Sequence, residues 1–120
     1  MARILLAEDD ESMRVFLANA LRRAGHQVRD CADGLDALEA IKTEPFHLLL
    51  ADIVMPGMDG IELARQAAEF HPALKVLFIT GFAAVALNAR RVGRTAEAKV
   101  LSKPFHLRDL VSQVDRILAA

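Results

Sequence analysis

This chain of 120 residues lacks a cysteine pair, a targeting segment, a long apolar run and an excess of charge of either sign. Cys31 is the only cysteine, which excludes an internal disulfide and a cysteine-rich metal site and makes it a small core hydrophobe. Met1-Ala2-Arg3 runs into Ile4-Leu5-Leu6-Ala7 and then at once into acids, too short an apolar region for a signal peptide. Nowhere does the chain approach the roughly 20 apolar residues of a membrane span, so no membrane partner is expected. With 15 basic and 16 acidic residues the formal net charge is -1, which gives no bulk attraction to phosphate backbones and argues against nucleic acid. His26, His47, His71 and His106 have no second ligand at convincing spacing and read as structural or exposed. These absences describe a cytoplasmic protein, expected as a monomer or weak dimer.

What is present is one domain's worth of core. At 53% hydrophobic, 120 residues can bury a core of their own and leave no length for a second domain. The chain alternates two periods. Ile4 to Ala7 is a short apolar strand, followed by the acids Glu8-Asp9-Asp10-Glu11. Ser12 is placed to cap a helix from about Met13 to Ala24, with Met13, Leu17, Ala20, Leu21 and Ala24 on one stripe, and Gly25 stops it. His26 to Cys31 reads as a strand at a sheet edge because polar residues interrupt it. A helix beginning near Asp33-Gly34 presents Leu35, Leu38 and Ile41 and ends by Pro45.

Leu48-Leu49-Leu50-Ala51-Asp52 is a run of four apolar residues closed by one acid, ahead of Met55-Pro56-Gly57-Met58-Asp59-Gly60. That pattern describes a strand buried on both faces that surfaces at its C-terminal end. A helix from about Asp59 to Phe70, a strand from Leu74 to Thr80, a helix from about Ala83 to Val92 and a strand from Ala98 to Ser102 follow. The last helix carries Leu107, Leu110, Val111, Val114, Ile117 and Leu118 at helical spacing.

Five strand and helix pairs in strict alternation call for a parallel sheet with helices on both faces, an α/β fold. The C-terminal strand ends then collect Glu8, Asp9 and Asp10, then Asp52, Thr80 and Lys103 at one edge, where ligands bind in open sheets of this kind. Carboxylates converging without His or Cys form a hard oxygen site that suits Mg²⁺. With their charge neutralised, one carboxylate becomes competent as a nucleophile that forms an acyl phosphate. Lys103 supplies a compact positive charge for the phosphoryl oxygens, and Thr80 a rotatable hydroxyl.

These residues resemble the receiver domain of bacterial two-component response regulators over essentially the whole chain. The acidic pair, Asp-Ile-Val-Met-Pro-Gly-Met-Asp-Gly, Thr80-Gly81 after an apolar strand and Lys103-Pro104-Phe105 occur in that family's order and spacing. The resemblance implies a doubly wound, flavodoxin-like (βα)5 fold with strand order 2-1-3-4-5. It implies that Asp52 accepts a phosphoryl group from a histidine kinase or histidine phosphotransfer protein with Mg²⁺ required, a phosphoacceptor that assists its own phosphotransfer and dephosphorylation rather than an enzyme acting on others. The family's second acid stands five residues before an Arg of the first helix and about 43 before the phosphoacceptor; from Arg14 and from Asp52 alike this gives Asp9. Glu8 and Asp9 are therefore the pair, with Asp9 and Asp52 touching the metal, Glu8 acting through water and the backbone carbonyl of Val54 completing the protein's ligands. Asp10 becomes a flank favoured by the helix dipole. The Lys103-Pro104 bond is expected to be cis.

One position departs from the family. Receivers usually carry Tyr or Phe three residues before the lysine, paired in the switch with the Thr hydroxyl. Here that residue is Val100, so with Thr80 in place Phe82 is either a substitute or a core or cover residue. For partners, Val15 and Phe16 on the first helix are candidates for an exposed apolar surface that docks the phosphodonor, and Arg90, Arg91 and Arg94 form a basic group that reads as a solvated face. The chain ends soon after its last core residue, so no output domain is expected and output must come from binding. Among single-domain receivers it resembles those that prime the ClpXP protease when unphosphorylated, and Leu118-Ala119-Ala120 looks like a small apolar tag of the kind ClpX recognises, or else like an ordinary fraying helix end. A phosphate sink or relay intermediate, and the receiver module of a hybrid kinase, are the alternatives.

Overall fold

The computed structural model describes residues 2–80, 99–102 and 105–120. The helix expected over residues 83–92 lies outside them, as do Phe82, Arg90, Arg91, Arg94, Lys103 and Pro104. In chain order the described elements are β1 Arg3–Ala7, α1 Glu11–Arg23, β2 Gln27–Cys31, α2 Gly34–Thr43, β3 Leu48–Asp52, α3 Gly60–Phe70, β4 Lys75–Thr80, β5 Lys99–Ser102 and α4 Leu107–Ala119. The strands form one sheet of order β2-β1-β3-β4-β5, and every pairing is parallel. This is the doubly wound order read from the sequence.

Period-two alternation divides the core into two layers. Leu49 and Ala51 of β3 join Leu5, Ala7 and Phe78 in the layer under α2 and α3. Leu48 and Leu50 join Ile4, Leu6, Leu77 and Ile79 in the layer under α1 and α4. Every residue of β3 is buried, so neither face of that strand tolerates polarity before Asp52. Removing a leucine of this strand from water contributes about 2 kcal/mol. At the edge, β2 exposes Gln27, Arg29 and Asp30 and buries Cys31. Burial pushes the Cys31 thiol up, against the pull of the Arg29 guanidinium, which keeps it neutral and unreactive.

Three local readings are corrected. Asp10, not Ser12, caps α1: its side chain accepts from the Met13 N–H at 3.0 Å and the helix starts at Glu11. The Asp10 carboxylate, two residues ahead of Ser12, reaches the first-turn donors first, which leaves Ser12 inside the helix. Leu35 is 58% exposed, because the buried face of α2 runs through Gly34, Ala37, Leu38 and Ile41 and Leu35 sits about 100° around from Gly34. Ala24 lies on the surface as the C-cap of α1, while Ala18 takes a buried place on that helix. Gly25 ends α1 as expected, with φ of 98°, its N–H donating to Arg22 and that of His26 to Leu21.

The last helix is tied to the opposite end of the sheet. Lys75, which opens β4, donates from Nζ to the Ile117 carbonyl at 2.8 Å and to the Ala120 carbonyl. These are carbonyls of the last helical turn, where a cation is favoured. Replacing Lys75 by Met is expected to lower stability by about 0.5–1 kcal/mol and to speed amide hydrogen exchange in the last turn of α4 while β1 and β3 keep their protection. Unchanged exchange in that turn would show that the lysine does not hold it.

Candidate functional site

Parallel strands deliver their C-terminal ends to one edge, so residues far apart in the chain meet there. Glu8 follows β1, Asp52 ends β3 and Thr80 ends β4. Glu8, Asp9 and Asp52 each place a ligand oxygen so that all lie within 4.8 Å of one another. Glu8 is fully buried and Asp52 nearly so, whereas Asp9 is exposed. Asp52 pairs with Ile79 in the β3–β4 register, which leaves Thr80, also fully buried, one step farther along the same edge. The Ile53 N–H donates to the Ile79 carbonyl at 3.1 Å, so strand pairing extends past Asp52 and fixes its backbone.

The electrostatics of this trio define its chemistry. At an effective dielectric of ~20, two ionised carboxylates at such a separation repel by on the order of 3 kcal/mol, less for Asp9, which water screens. Anions held this close under partial burial call for a compensating cation. The donors are all carboxylate oxygens, which suits a hard divalent metal rather than zinc.

Local bonds hold each acid differently. The Glu8 N–H donates to the Cys31 carbonyl at 3.1 Å, and Glu8 Oε2 accepts from the Asp10 N–H at 3.2 Å. Asp52 Oδ1 accepts from the Val54 N–H at 3.1 Å, an Asx turn that restrains the carboxylate as the chain leaves the strand. The Val54 side chain is half exposed, and the Val54 contact with the acid is made by the backbone N–H. The loop returns when the Gly60 N–H donates to the Ile53 carbonyl at 2.9 Å, and Asp59 then caps α3 by accepting from Glu62.

The structure thus brings together Glu8, Asp9 and Asp52, bonds the Val54 N–H to Asp52, places Thr80 on the same edge and assigns Asp10 to the cap of α1. Val100 in β5 pairs with Phe78 of β4 and packs partly buried against the α2 and α3 layer. Lys103, Pro104 and Phe82 lie outside the described residues. Three histidines serve structure: His26 accepts from the Ala2 N–H and faces Asp115, His47 accepts from the Arg3 N–H, and His71 bonds the Ile41 carbonyl, while His106 is exposed at the N-cap position of α4 with no side-chain cap bond.

Two supporting residues make contacts at the site that the sequence does not announce. A Cβ on Gly60 would lie 2.3 Å from the Asp52 carbonyl oxygen, so only glycine lets α3 start directly behind the acid. Arg14 Nη1 donates to the Glu8 carbonyl at 3.0 Å. Gly60 closes the family motif and Arg14 is the landmark from which the second acid is counted, but neither signal announces the contact itself, which is made to backbone atoms brought near by the fold.

Comparison with known proteins agrees with this geometry. Residues 4–115 match the response regulator receiver domain model. Over 120 residues the chain is 60% identical to the response regulator receiver protein CpdR of Brucella abortus, covering 100% of this chain and 99% of that protein. It is 35% identical to the sensor kinase CckA of the same organism over 98% of this chain, but over only 12% of the kinase. Among solved structures, the receiver domain of the hybrid histidine kinase CckA superposes with a TM-score of 0.83 at 31% identity, covering 97% of this chain and 98% of that one. The BeF3-activated DrrB receiver domain gives 0.88 at 25% identity, covering 100% and 99%.

The close approach of α3 to β3 has a direct consequence. Gly60→Ala is expected to destabilise the protein by about 1–3 kcal/mol, because the added carbon meets backbone that cannot rotate away. The melting transition measures this; a variant as stable as the parent would mean that the loop absorbs the clash.

Proposed function

We propose that this chain, which belongs to the response regulator receiver domain family, is a signalling phosphoacceptor in which Asp52 takes a phosphoryl group from a histidine kinase or histidine phosphotransfer protein. The observation that carries this reading is the convergence of Glu8, Asp9 and Asp52 within 4.8 Å at the C-terminal edge of the sheet.

In the proposed reaction an Asp52 carboxylate oxygen attacks the phosphorus of a phosphohistidine. The new P–O bond forms as the P–N bond breaks, and the imidazole keeps the bonding pair and leaves neutral, with its proton on the other ring nitrogen. Mg²⁺ bound by Asp9, Asp52 and the Val54 carbonyl, with Glu8 acting through water, would neutralise the acids and the charge on the phosphoryl oxygens. The Val54 N–H restrains the nucleophile's carboxylate. Thr80 offers a hydroxyl donor and Lys103 a cation to the phosphoryl oxygens. Hydrolysis of the acyl phosphate, with water as nucleophile, returns the carboxylate and inorganic phosphate.

Val15 and Phe16, 48% and 52% exposed on α1, offer the phosphodonor an apolar surface on the helix that follows the acids. Output is proposed to be phosphorylation-dependent protein binding by a single-domain receiver, supported by the match to CpdR over nearly the whole of both chains. The expected partner is the ClpX unfoldase, engaged in the unphosphorylated state. If Leu118-Ala119-Ala120 serves as a tag, the last turn of α4 must fray first, because Leu118 packs on the core and Lys75 holds the turn. Signal readout through an aromatic ring at position 100 is not available to valine, and Phe82 is either a substitute or a core or cover residue.

Two experiments test this. A small phosphodonor with Mg²⁺ is expected to label the protein but not Asp52→Asn; equal labelling of both would remove Asp52 as the nucleophile. ClpX is expected to be captured by Asp52→Ala and lost from the protein treated with beryllofluoride. No capture in either state would leave a phosphate sink or relay intermediate as the better reading.

A further inference from the structure

We propose that Arg14 is a positioning residue for the acidic site, holding the peptide that carries Asp9, and that Asp30 on the edge strand in turn holds Arg14. The inference rests on the metal reading of that site.

Arg14 lies one turn into α1 with only 17% of its side chain exposed, although it sits on a helix whose neighbouring Val15 and Phe16 face solvent. Helical side chains lean toward the N-terminus, which directs this one back over the acid run. Nη1 donates to the Glu8 carbonyl at 3.0 Å, and Nε lies 3.4 Å from Asp30 Oδ2. Asp30 Oδ1 accepts from Arg22 Nη2 at 3.3 Å, so this carboxylate sits between two guanidinium groups.

The carbonyl that Arg14 grips belongs to the peptide bond joining Glu8 to Asp9. Glu8 is held on its other side as well: its N–H is bonded to the Cys31 carbonyl and its Oε2 to the Asp10 N–H. Those two bonds anchor the peptide planes on either side, and the Arg14 bond is made to the carbonyl of the plane between them. Asp9, the exposed member of the trio, hangs on that plane. Without Arg14 the plane rotates and Asp9 moves relative to Asp52, while Glu8 stays where it is.

The residue type matters for the same reason. A guanidinium presents donors in a rigid fork, so one group reaches a carbonyl and a carboxylate at a set angle. An ammonium keeps the charge but loses that geometry. A purely electrostatic role, by contrast, would be kept by lysine.

The chain has no Trp or Tyr, so binding is read from free Mn²⁺ by electron paramagnetic resonance, on full-length protein shown to be folded by circular dichroism. Arg14→Met is expected to weaken Mn²⁺ affinity about tenfold, the scale of lost outer-shell support. Arg14→Lys should fall short of the parent by a clear margin, and Asp30→Asn by about threefold. Arg22→Met, which removes the outer partner of Asp30 together with a bond to the Val28 carbonyl, should stay within about twofold. Labelling by a small phosphodonor should show the Arg14 defect in its Mg²⁺ concentration dependence, with the rate at saturating Mg²⁺ close to the parent's.

Full affinity in Arg14→Lys would overturn the positioning role in favour of charge alone. Affinity within twofold of the parent in folded Arg14→Met would overturn the inference outright; should that variant not fold, Asp30→Asn at parental affinity does the same. A parent protein that neither binds Mn²⁺ nor is labelled would instead defeat the reading of the site itself.

Discussion

Three carboxylates held within 4.8 Å of one another, two of them buried, repel each other, and the upper edge of this molecule is built to hold them against that repulsion. The means is the sheet. β1, β3 and β4 carry buried leucines, isoleucines and phenylalanine on both faces, so a one-residue slip of any of them would exchange two packed layers at once. Register is therefore rigid, and with it the positions of Glu8, Asp52 and Thr80. The edge strand β2, polar and exposed, contributes little packing there but supplies Cys31 and Asp30 as anchors for the acid loop, directly and through Arg14.

The four consecutive acids show how one composition serves separate physical roles. Glu8 turns inward, Asp9 faces water at the cluster, Asp10 accepts the Met13 N–H as the cap of α1, and Glu11 lies in the first turn where the helix dipole favours a negative charge. The site and the start of α1 are thus a single construction, since the residue that caps the helix also donates its N–H to Glu8. On the other side, Gly60 brings α3 against the back of Asp52, and Gly34 brings α2 against the Met58 backbone of the same loop. Backbone contacts without side chains set how closely those helices approach.

Much of this was legible in the chain. The unbroken run from Leu48 to Ala51 demanded burial on both faces, the polar interruptions of Gln27 to Asp30 demanded an edge, and Gly25 after Ala24 demanded a helix end; each appears in the fold. The misplacements share one cause. Ser12 and Asp10 are both good caps, and which one serves depends on where the chain leaves β1. Leu35, Leu38 and Ile41 share a helical spacing, but the buried face is chosen by what packs against it, and glycine at position 34 lets that face shift around the helix and leave Leu35 in water.

The sequence by itself determined the alternation of strands and helices, the parallel sheet and the set of acids that such a sheet must bring to one edge, because periodicity and residue type act locally and strand direction then follows from connectivity. Tertiary structure alone decided which acid does what, that Arg14 reaches back to the Glu8 carbonyl, and that a glycine at position 60 is needed behind Asp52. Those outcomes depend on distances between backbone atoms of separate elements, and such distances leave no mark on the pattern of any one segment.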